Sequence, residues 1–414
     1  MAGKKFYTMD DFEFKGKTVL VRIDINSPID LETKKITDTM RFKAHAKTLI
    51  ELSNKGAKVV ILAHQGRKGD DDFLPLEEHG RVLSEVLGRP VKYVDDVYGD
   101  KALKFISSLK DGELLLLENV RFCKEEDGTR TLEEQINSPM VRKLAGVADI
   151  YVNDAFSTAH RNHTSVVGFA YVLPSAAGRV MEQEVNSILN VTENPERPSV
   201  YVLGGMKAED SYEIMKEALD NKIADFILPT GIISYLCLLG KGIDIGEVNK
   251  KMLSAKGLMD KIPEVKELLD KYGDVIKTIR DVAVDDGGRR LEILIEDLPT
   301  NKPIKDIGSK TIEEFSHILK EARTIVFNGP AGVYEDPKFA IGTRKLLEAV
   351  VESKAYSLVG GGHTIAAIEK YGYASKISYM STAGKAFISF ITDGCEALPA
   401  IRALEKAYKK HTSN

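Results

Sequence analysis

The sequence predicts an α/β protein made of two doubly wound parallel-sheet domains of similar size, joined by a helix. Three observations predict it: short aliphatic runs alternate with amphipathic stretches, nearly every run ends in a turn-forming residue, and 414 residues exceed one ordinary core.

The runs come first. KTVLVRI, AKVVILA, ELLLLE and ADIYVN occupy the first half, and PSVYVLGG, ADFILP, RTIVFNGP, AYSLVGGG and KISYM the second. Brief continuous apolar runs that stop at Gly, Asn, Asp or Pro suit strands buried on both faces of a parallel sheet. Between them, residues 40–54, 76–88, 208–221 and 337–353 carry helical periodicity, and such alternation makes a doubly wound sheet. Residues 173–190, LPSAAGRVMEQEVNSILN, also read as helix, and the Pro-rich break VTENPERPSV behind them marks the domain boundary. Residues 241–271 hold two helical patterns without a strand, and VDDGGRR reads as a tight turn into LEILI.

Composition narrows the function. With 43% hydrophobic and 29% charged residues the chain is of globular type, and its net charge of -4 offers no overall field for nucleic acid or an anionic membrane. An anion site must therefore be local. Cys123, Cys237 and Cys395 form no C-x-x-C pair, which argues against a disulfide framework or thiolate metal site and fits a reducing cytoplasm. The N-terminal stretch has no apolar signal core, and no run approaches the roughly 18 residues of a membrane span.

Near the end, a strand over 356–359 runs into Gly360, Gly361 and Gly362 and then a helix from about Thr364. Glycines let an anion approach the backbone, and a helix N-terminus offers unpaired N–H groups. A lone triplet serves equally as a packing turn. Here, FNGPAGVYE, LGGMKAEDS and STAGKAF supply further small-residue turns after strands, and parallel strands bring such turns to one crevice. Neither a G-x-x-x-x-G-K-[ST] loop nor a strand followed by G-x-G-x-x-G is present, so phosphates would be held by several separate turns.

In the first half, cationic residues follow strand ends: Arg22, His64 with Arg67, Arg121 and Arg161, while Arg41 opens a helix. One surface arginine is usually just solvated. Several converging guanidinium groups, which grip phosphate and carboxylate in bidentate fashion, imply a small, multiply charged ligand whose hydroxyls Asp24 and Asn26 could take. His64, His160 and His163 read as anion-binding or structural, because H-x-x-H without a partner carboxylate or cysteine pattern is a weak metal signal.

Taken in order, RIDINSP, LAHQGR, LLENVRF, DAFSTAHR, GGMK, FNGPAGVYE and GGGHT resemble the phosphoglycerate kinase family, from Phe12 to Leu404. The resemblance implies reversible phosphoryl transfer between ATP and the carboxylate of 3-phosphoglycerate in glycolysis and gluconeogenesis, giving ADP and 1,3-bisphosphoglycerate. It implies an acceptor domain over 1–172, a hinge helix over 173–190, a nucleotide domain over 191–392, and a segment 393–414 that returns to the first domain. Carried over by motif, Asp24, Asn26, Arg41, His64, Arg67, Arg121 and Arg161 would hold 3-phosphoglycerate, with Arg41 also reaching the phosphoryl in flight. Lys207 would sit on the nucleotide phosphates and the transition state, Glu335 on the ribose hydroxyls, and Gly360, Gly361, Gly362, His363 and Thr364 along the phosphate chain. Mg²⁺ would arrive as the ATP complex.

The chemistry agrees. A carboxylate with a pKa of roughly 3.5 is already ionised at neutral pH, so no general base is needed. Catalysis reduces to aligning anions and neutralising a loose transition state, with domain closure excluding water.

Three places depart from the common family pattern. Ser211 stands where a second lysine is usual, His363 where an aspartate follows the three glycines, and STAGK replaces STGGG. Lys385 of STAGK is the candidate to replace the missing phosphate contact. Imidazole is a poor donor to Mg²⁺, which prefers oxygen, so no metal ligand is assigned; Asp210, another carboxylate, or ATP and water would serve. These variants resemble the archaeal branch. The rival readings are an NAD-dependent dehydrogenase, disfavoured by the missing dinucleotide fingerprint, and a metabolite-sensing protein on the same fold; monomer and homodimer both stay open.

Overall fold

The computed structural model describes residues 5–412. The chain divides into two compact units, one running to Asn186 and resuming at Asp393, the other spanning Ser187–Thr392.

The first unit is built on one parallel sheet of β1 (Thr18–Arg22), β2 (Lys58–Leu62), β3 (Val91–Tyr93), β4 (Leu114–Leu116), β5 (Ile150–Asn153) and β6 (Ser175–Ala177). Its order is β3-β4-β2-β1-β5-β6, so the continuously apolar β1 lies inside, with Val19 opposite Val59 and Ile150. Val19, Val21, Ile23, Val59 and Ile61 form a core with Phe42, Leu49 and Leu52 of the helix Met40–Asn54. That helix matches the predicted range because its apolar residues recur at helical spacing.

The helix read over 173–190 begins later, at Arg179, and ends at Thr192. The reason is β6: Ser175, Ala176 and Ala177 pair with Tyr151, Val152 and Asn153, and three small residues at a sheet edge carry no strand signature. The helix Pro399–Thr412 belongs to this unit, where Ala400 N donates to Ala159 O at 3.1 Å.

The second unit contains β7 (Ser199–Leu203), β8 (Phe226–Pro229), β9 (Asp281–Asp286), β10 (Arg289–Leu294), β11 (Ile304–Ile307), β12 (Thr324–Asn328), β13 (Tyr356–Gly360) and β14 (Tyr379–Ser381). Five form a parallel sheet, β14-β13-β12-β7-β8, with Thr324 opposite both Ser199 and Tyr356. The remaining three make a small antiparallel sheet, β10-β9-β11, added to the doubly wound plan. Its hairpin turns at Gly287 and Gly288, whose φ values of +59° and +87° suit the tight turn read there. Two helices start elsewhere than their patterns suggest: Ile341–Glu352 after a turn in which Phe339 N donates to Asp336 O, and Gly362–Lys370, which takes in the last glycine of the triplet. Among the described residues no helix is long and apolar enough to cross a membrane.

Candidate active site

In each unit the predicted site residues lie on turns after the C-terminal ends of parallel strands or in the first turn of a helix, Arg41, Gly362, His363, Thr364 and Lys385 being helical and Gly360 the last residue of β13. In the first unit the chain leaves β1 through Asp24 and Asn26. Asp24 is buried; its Oδ1 accepts from Asn26 N at 3.0 Å, and its Oδ2 accepts from Arg41 Nη1 and Ser157 Oγ. Asn26 Oδ1 in turn accepts from Gly66 N at 2.8 Å, and Arg121 Nη1 donates to Gly66 O. Gly66 has φ +64°, and a Cβ there would lie 2.5 Å from Asp72 O, so this turn requires glycine. One turn thus fixes His64 and Arg67 relative to Asn26 and Arg121.

The electrostatics are those of an anion trap. Arg67, Arg121, Arg161 and His163 line a cavity of about 920 Å³, together with Lys68, Lys124 and the carboxylates Glu126 and Asp127. Burial, then the neighbouring Arg161 and Arg22, pulls the Arg121 guanidinium down to about 10; burial and Arg67 lower Arg161 as well. Cations that depress one another are a site with too few counter-charges, which a multiply charged anion would relieve. Burial alone would raise the Asp24 carboxyl, but His64, Arg41, Ser157 and Asn26 outweigh it and hold it well below the usual carboxylate range. Cys123, at the rim, is pushed up to about 12 by burial and nearby carboxylates and stays a thiol.

His64 is held from behind. Arg22, almost fully buried, donates from Nε to Ser165 Oγ at 2.8 Å and lies with Nη2 3.0 Å from His64 Nδ1. Buried Glu126 accepts from Ser165 N at 2.7 Å and from Ser165 Oγ, placing a negative charge behind Arg22. Arg22 therefore faces His64 and Ser165, while Arg67, Arg121 and Arg161 line the cavity and Arg41 pairs with Asp24.

In the second unit the turns after β7, β8 and β12 pack backbone to backbone. Gly204 N donates to Asn328 O at 2.8 Å and Gly205 N to Pro330 O at 2.8 Å; a Cβ on Gly231 would lie 2.6 Å from Gly205 N. These turns and the helix Gly231–Gly240 enclose a cavity of about 400 Å³ walled by Ile232, Tyr235, Pro330, Val333 and Tyr334, with Lys305, Glu335 and His363 also lining it. An apolar slot with a few polar groups suits a flat ring carrying polar substituents.

Gly361 has φ +87° and caps the helix Gly362–Lys370, and nothing lies within 4 Å of a Cβ placed on Gly362, so this helix N-terminus is open. Gly360 is enclosed: a Cβ there would meet Phe387 Cε1 at 2.4 Å. Thr364 is buried and its Oγ1 accepts from Gly329 N at 2.9 Å, so its hydroxyl braces the β12 turn instead of facing the opening. Lys207 is exposed at the N-cap of the helix Ala208–Asp220, and Lys385 is exposed at the start of the helix Lys385–Asp393. Ser211 is buried and donates to Gly204 O at 3.1 Å.

Among the described residues no three His, Cys, Asp or Glu side chains converge as a metal site. His363 Nδ1 lies 3.3 Å from Tyr334 Oη and 3.8 Å from Glu335 Oε1, and this donor set does not fit a hard cation such as Mg²⁺.

Residues that motif reading missed are mostly buried and polar: His45, Asp154, Ser157, Ser165 and Glu126. His45 had a signal, being polar on the buried face of the helix opened by Arg41. Lys256, which lines a depression with Lys207 and Asp210, had none.

Comparison with known proteins gives a consistent result. The family model described as phosphoglycerate kinase matches residues 9–394. A phosphoglycerate kinase from Methanothermus fervidus is 49% identical over 98% of this chain and 98% of its own, and one from Methanothermobacter thermautotrophicus is 48% identical over 97% of each. The crystal structure of phosphoglycerate kinase from Pyrococcus horikoshii superposes with a TM-score of 0.88 at 42% identity, covering 98% of this chain and 100% of that one. That from Coxiella burnetii gives 0.80 at 32% identity, covering 97% and 99%.

Proposed function

The chain belongs to the phosphoglycerate kinase family, kinases that transfer a phosphoryl group, and on that premise we propose how its residues divide the work. The acceptor is 3-phosphoglycerate, held in the first unit: Arg67, Arg121 and Arg161 take its phosphate, with His64 adding an N–H. Asp24 and Asn26 orient its hydroxyl and carboxylate end. The observation that carries this is the convergence of Arg67, Arg121 and Arg161 on one cavity, where burial and neighbouring arginines lower Arg121 and Arg161, a surplus of positive charge that a multiply charged anion would relieve.

ATP is the donor. Its base and ribose occupy the apolar slot lined by Tyr235, Val333 and Glu335, with Glu335 accepting from ribose hydroxyls. The phosphates lie toward Lys207 and the open helix N-terminus at Gly361, Gly362 and His363, with Lys385 as a further cation. Mg²⁺ enters on the nucleotide, its remaining ligands water.

The attacking oxygen is an ionised carboxylate, so no side chain has to remove a proton. Arg41, freed from Asp24 or sharing it, and Lys207 neutralise the equatorial oxygens of the phosphoryl in flight. Ligands bound by separate units must be brought to reacting distance, and that step expels water that would hydrolyse the acyl phosphate. The protein acts in the cytoplasm.

An assay with ATP and 3-phosphoglycerate coupled to acyl-phosphate consumption tests this. Turnover is expected in the parent, with kcat lower by roughly 10²–10³ in Arg41→Ala, the usual cost of one oxyanion donor. No turnover in the parent, or an unchanged Arg41→Ala, would overturn the reading.

A further inference from the structure

We infer that His45 is a positioning residue for the transfer: it ties the Asp24 backbone to the first turn of the helix Arg179–Thr192, so that occupancy of the acceptor site reaches that helix. The inference rests on the reading of Asp24 and Arg41 as acceptor contacts.

His45 follows Arg41 by one turn on the helix Met40–Asn54 and is buried. Asp24 N donates to its Nε2 at 3.1 Å. A nitrogen that accepts from a backbone amide carries no proton, so the proton lies on Nδ1 and is donated to Asp154 Oδ2 at 2.7 Å. Asp154, with no exposed surface, uses its other oxygen to accept from Val180 N at 2.8 Å and Met181 N at 3.4 Å. These are amides of a helix's first turn, which has no partners of its own inside the helix. Gly178 allows the approach, since a Cβ there would lie 2.2 Å from Asp154 Oδ1.

A second link runs in parallel. Arg179 N donates to Thr48 Oγ1 at 2.9 Å, and its guanidinium donates to Glu51 from Nε at 2.8 Å and from Nη2 at 2.6 Å. His45, Thr48 and Glu51 follow at three-residue spacing along one face of the helix whose first turn carries Arg41. One rigid helix therefore meets the acceptor turn at its start and the next helix along its length. The helix Arg179–Thr192 crosses the boundary at Asn186, where the first unit ends.

Only imidazole fits this place without leaving a buried group unpaired. It accepts at one end and donates at the other across a fixed ring. His45→Gln keeps an acceptor within reach of Asp24 but loses the donor to Asp154. His45→Asn keeps a donor near Asp154 but cannot reach Asp24. If the role is transmission, both variants fail alike.

The measurement is hydrogen exchange of the peptide containing Val180 and Met181 in the full chain, with and without 3-phosphoglycerate, alongside calorimetry and steady-state kinetics. In the parent, the acid changes protection of those amides. In both variants that response is lost, and kcat falls by about five- to thirty-fold, the factor for one or two buried hydrogen bonds, while the dissociation constant for the acid moves less than about three-fold. A parent that binds the acid with unchanged protection overturns the inference without any variant being needed. Folded variants that keep both the response and kcat overturn it too. Failure of the parent to bind the acid would overturn the acceptor reading first, and this inference with it.

Discussion

Arg22 Nη2 lies 3.0 Å from His64 Nδ1, and this contact determines what the histidine can offer an anion. A guanidinium has only donors, so Nδ1 accepts and the ring's proton sits on Nε2. Burial, then Arg22, with Arg121 and Arg161 adding, keeps the ring from charging, and its pKa lies well below 6.5. His64 is thus a neutral N–H donor among arginines.

The consequence can be measured as a ratio. The ligand phosphate titrates near 6, so absolute affinities vary with pH, but the ratio of acceptor affinities between parent and His64→Gln is expected to be flat from about pH 6 to 8. Calorimetry at three pH values checks it. A ratio that grows several-fold on acidification would mean that His64 binds as a cation.

A second buried histidine contributes to acid stability. His79 Nε2 lies 3.0 Å from Gln65 Oε1, and burial lowers its pKa from 6.5 to about 4. The unfolded chain then binds the extra proton first, so this group's contribution to stability is full above pH 6.5 and declines as pH falls toward 4. The decline from this group is roughly 3 kcal/mol across that window. Urea unfolding at pH 7.5 and 5 is expected to show a midpoint drop in the parent and a smaller drop in His79→Leu, whatever that variant costs at neutral pH.

Much of this was legible in the sequence. β1, β2, β5, β7, β12 and β13 are central strands that their unbroken apolar runs marked, and the chain leaving them carries Asp24, His64 and Lys207, while of the glycine triplet only Gly361 lies between strand and helix. β6 was not legible, because Ser175, Ala176 and Ala177 have no periodicity and pair only through their backbone. The polar residues behind the site escaped for a related reason. Glu126, Ser165, His45 and Asp154 are scattered in sequence and matter only through contacts such as Ser165 to Glu126, which tertiary folding creates. Thr364 marks the opposite limit: its motif was read, but its hydroxyl is spent on Gly329.

Lys385 is the proposed source of the charge absent at position 211. Its turn follows β14, the neighbour of β13 in the sheet, and so lies beside the turn carrying Gly361 and Gly362. Ser211 cannot serve, being buried against Gly204. Lys385→Ala is expected to lower kcat/KM for ATP about ten-fold, the effect of one charge-assisted contact, and Lys409→Ala to leave it within about two-fold. Equal small effects in steady-state kinetics would remove the assignment.

The last prediction concerns the metal. If His363 coordinated Mg²⁺, replacing it would raise the free Mg²⁺ needed for half-maximal rate. Its imidazole instead lies 3.3 Å from Tyr334 Oη, with Glu335 Oε1 3.8 Å away, and Mg²⁺ is a poor match for nitrogen. His363→Ala is therefore expected to leave the half-saturating Mg²⁺ within about two-fold at saturating ATP. His363→Asp would present an oxygen donor at the open helix N-terminus and is expected to lower the half-saturating concentration. Titrating free Mg²⁺ at fixed MgATP separates the two variants, because a group that only shapes the nucleotide pocket changes KM for ATP and leaves the metal dependence alone. A several-fold rise in the Mg²⁺ requirement of His363→Ala would place the imidazole in the metal's coordination sphere.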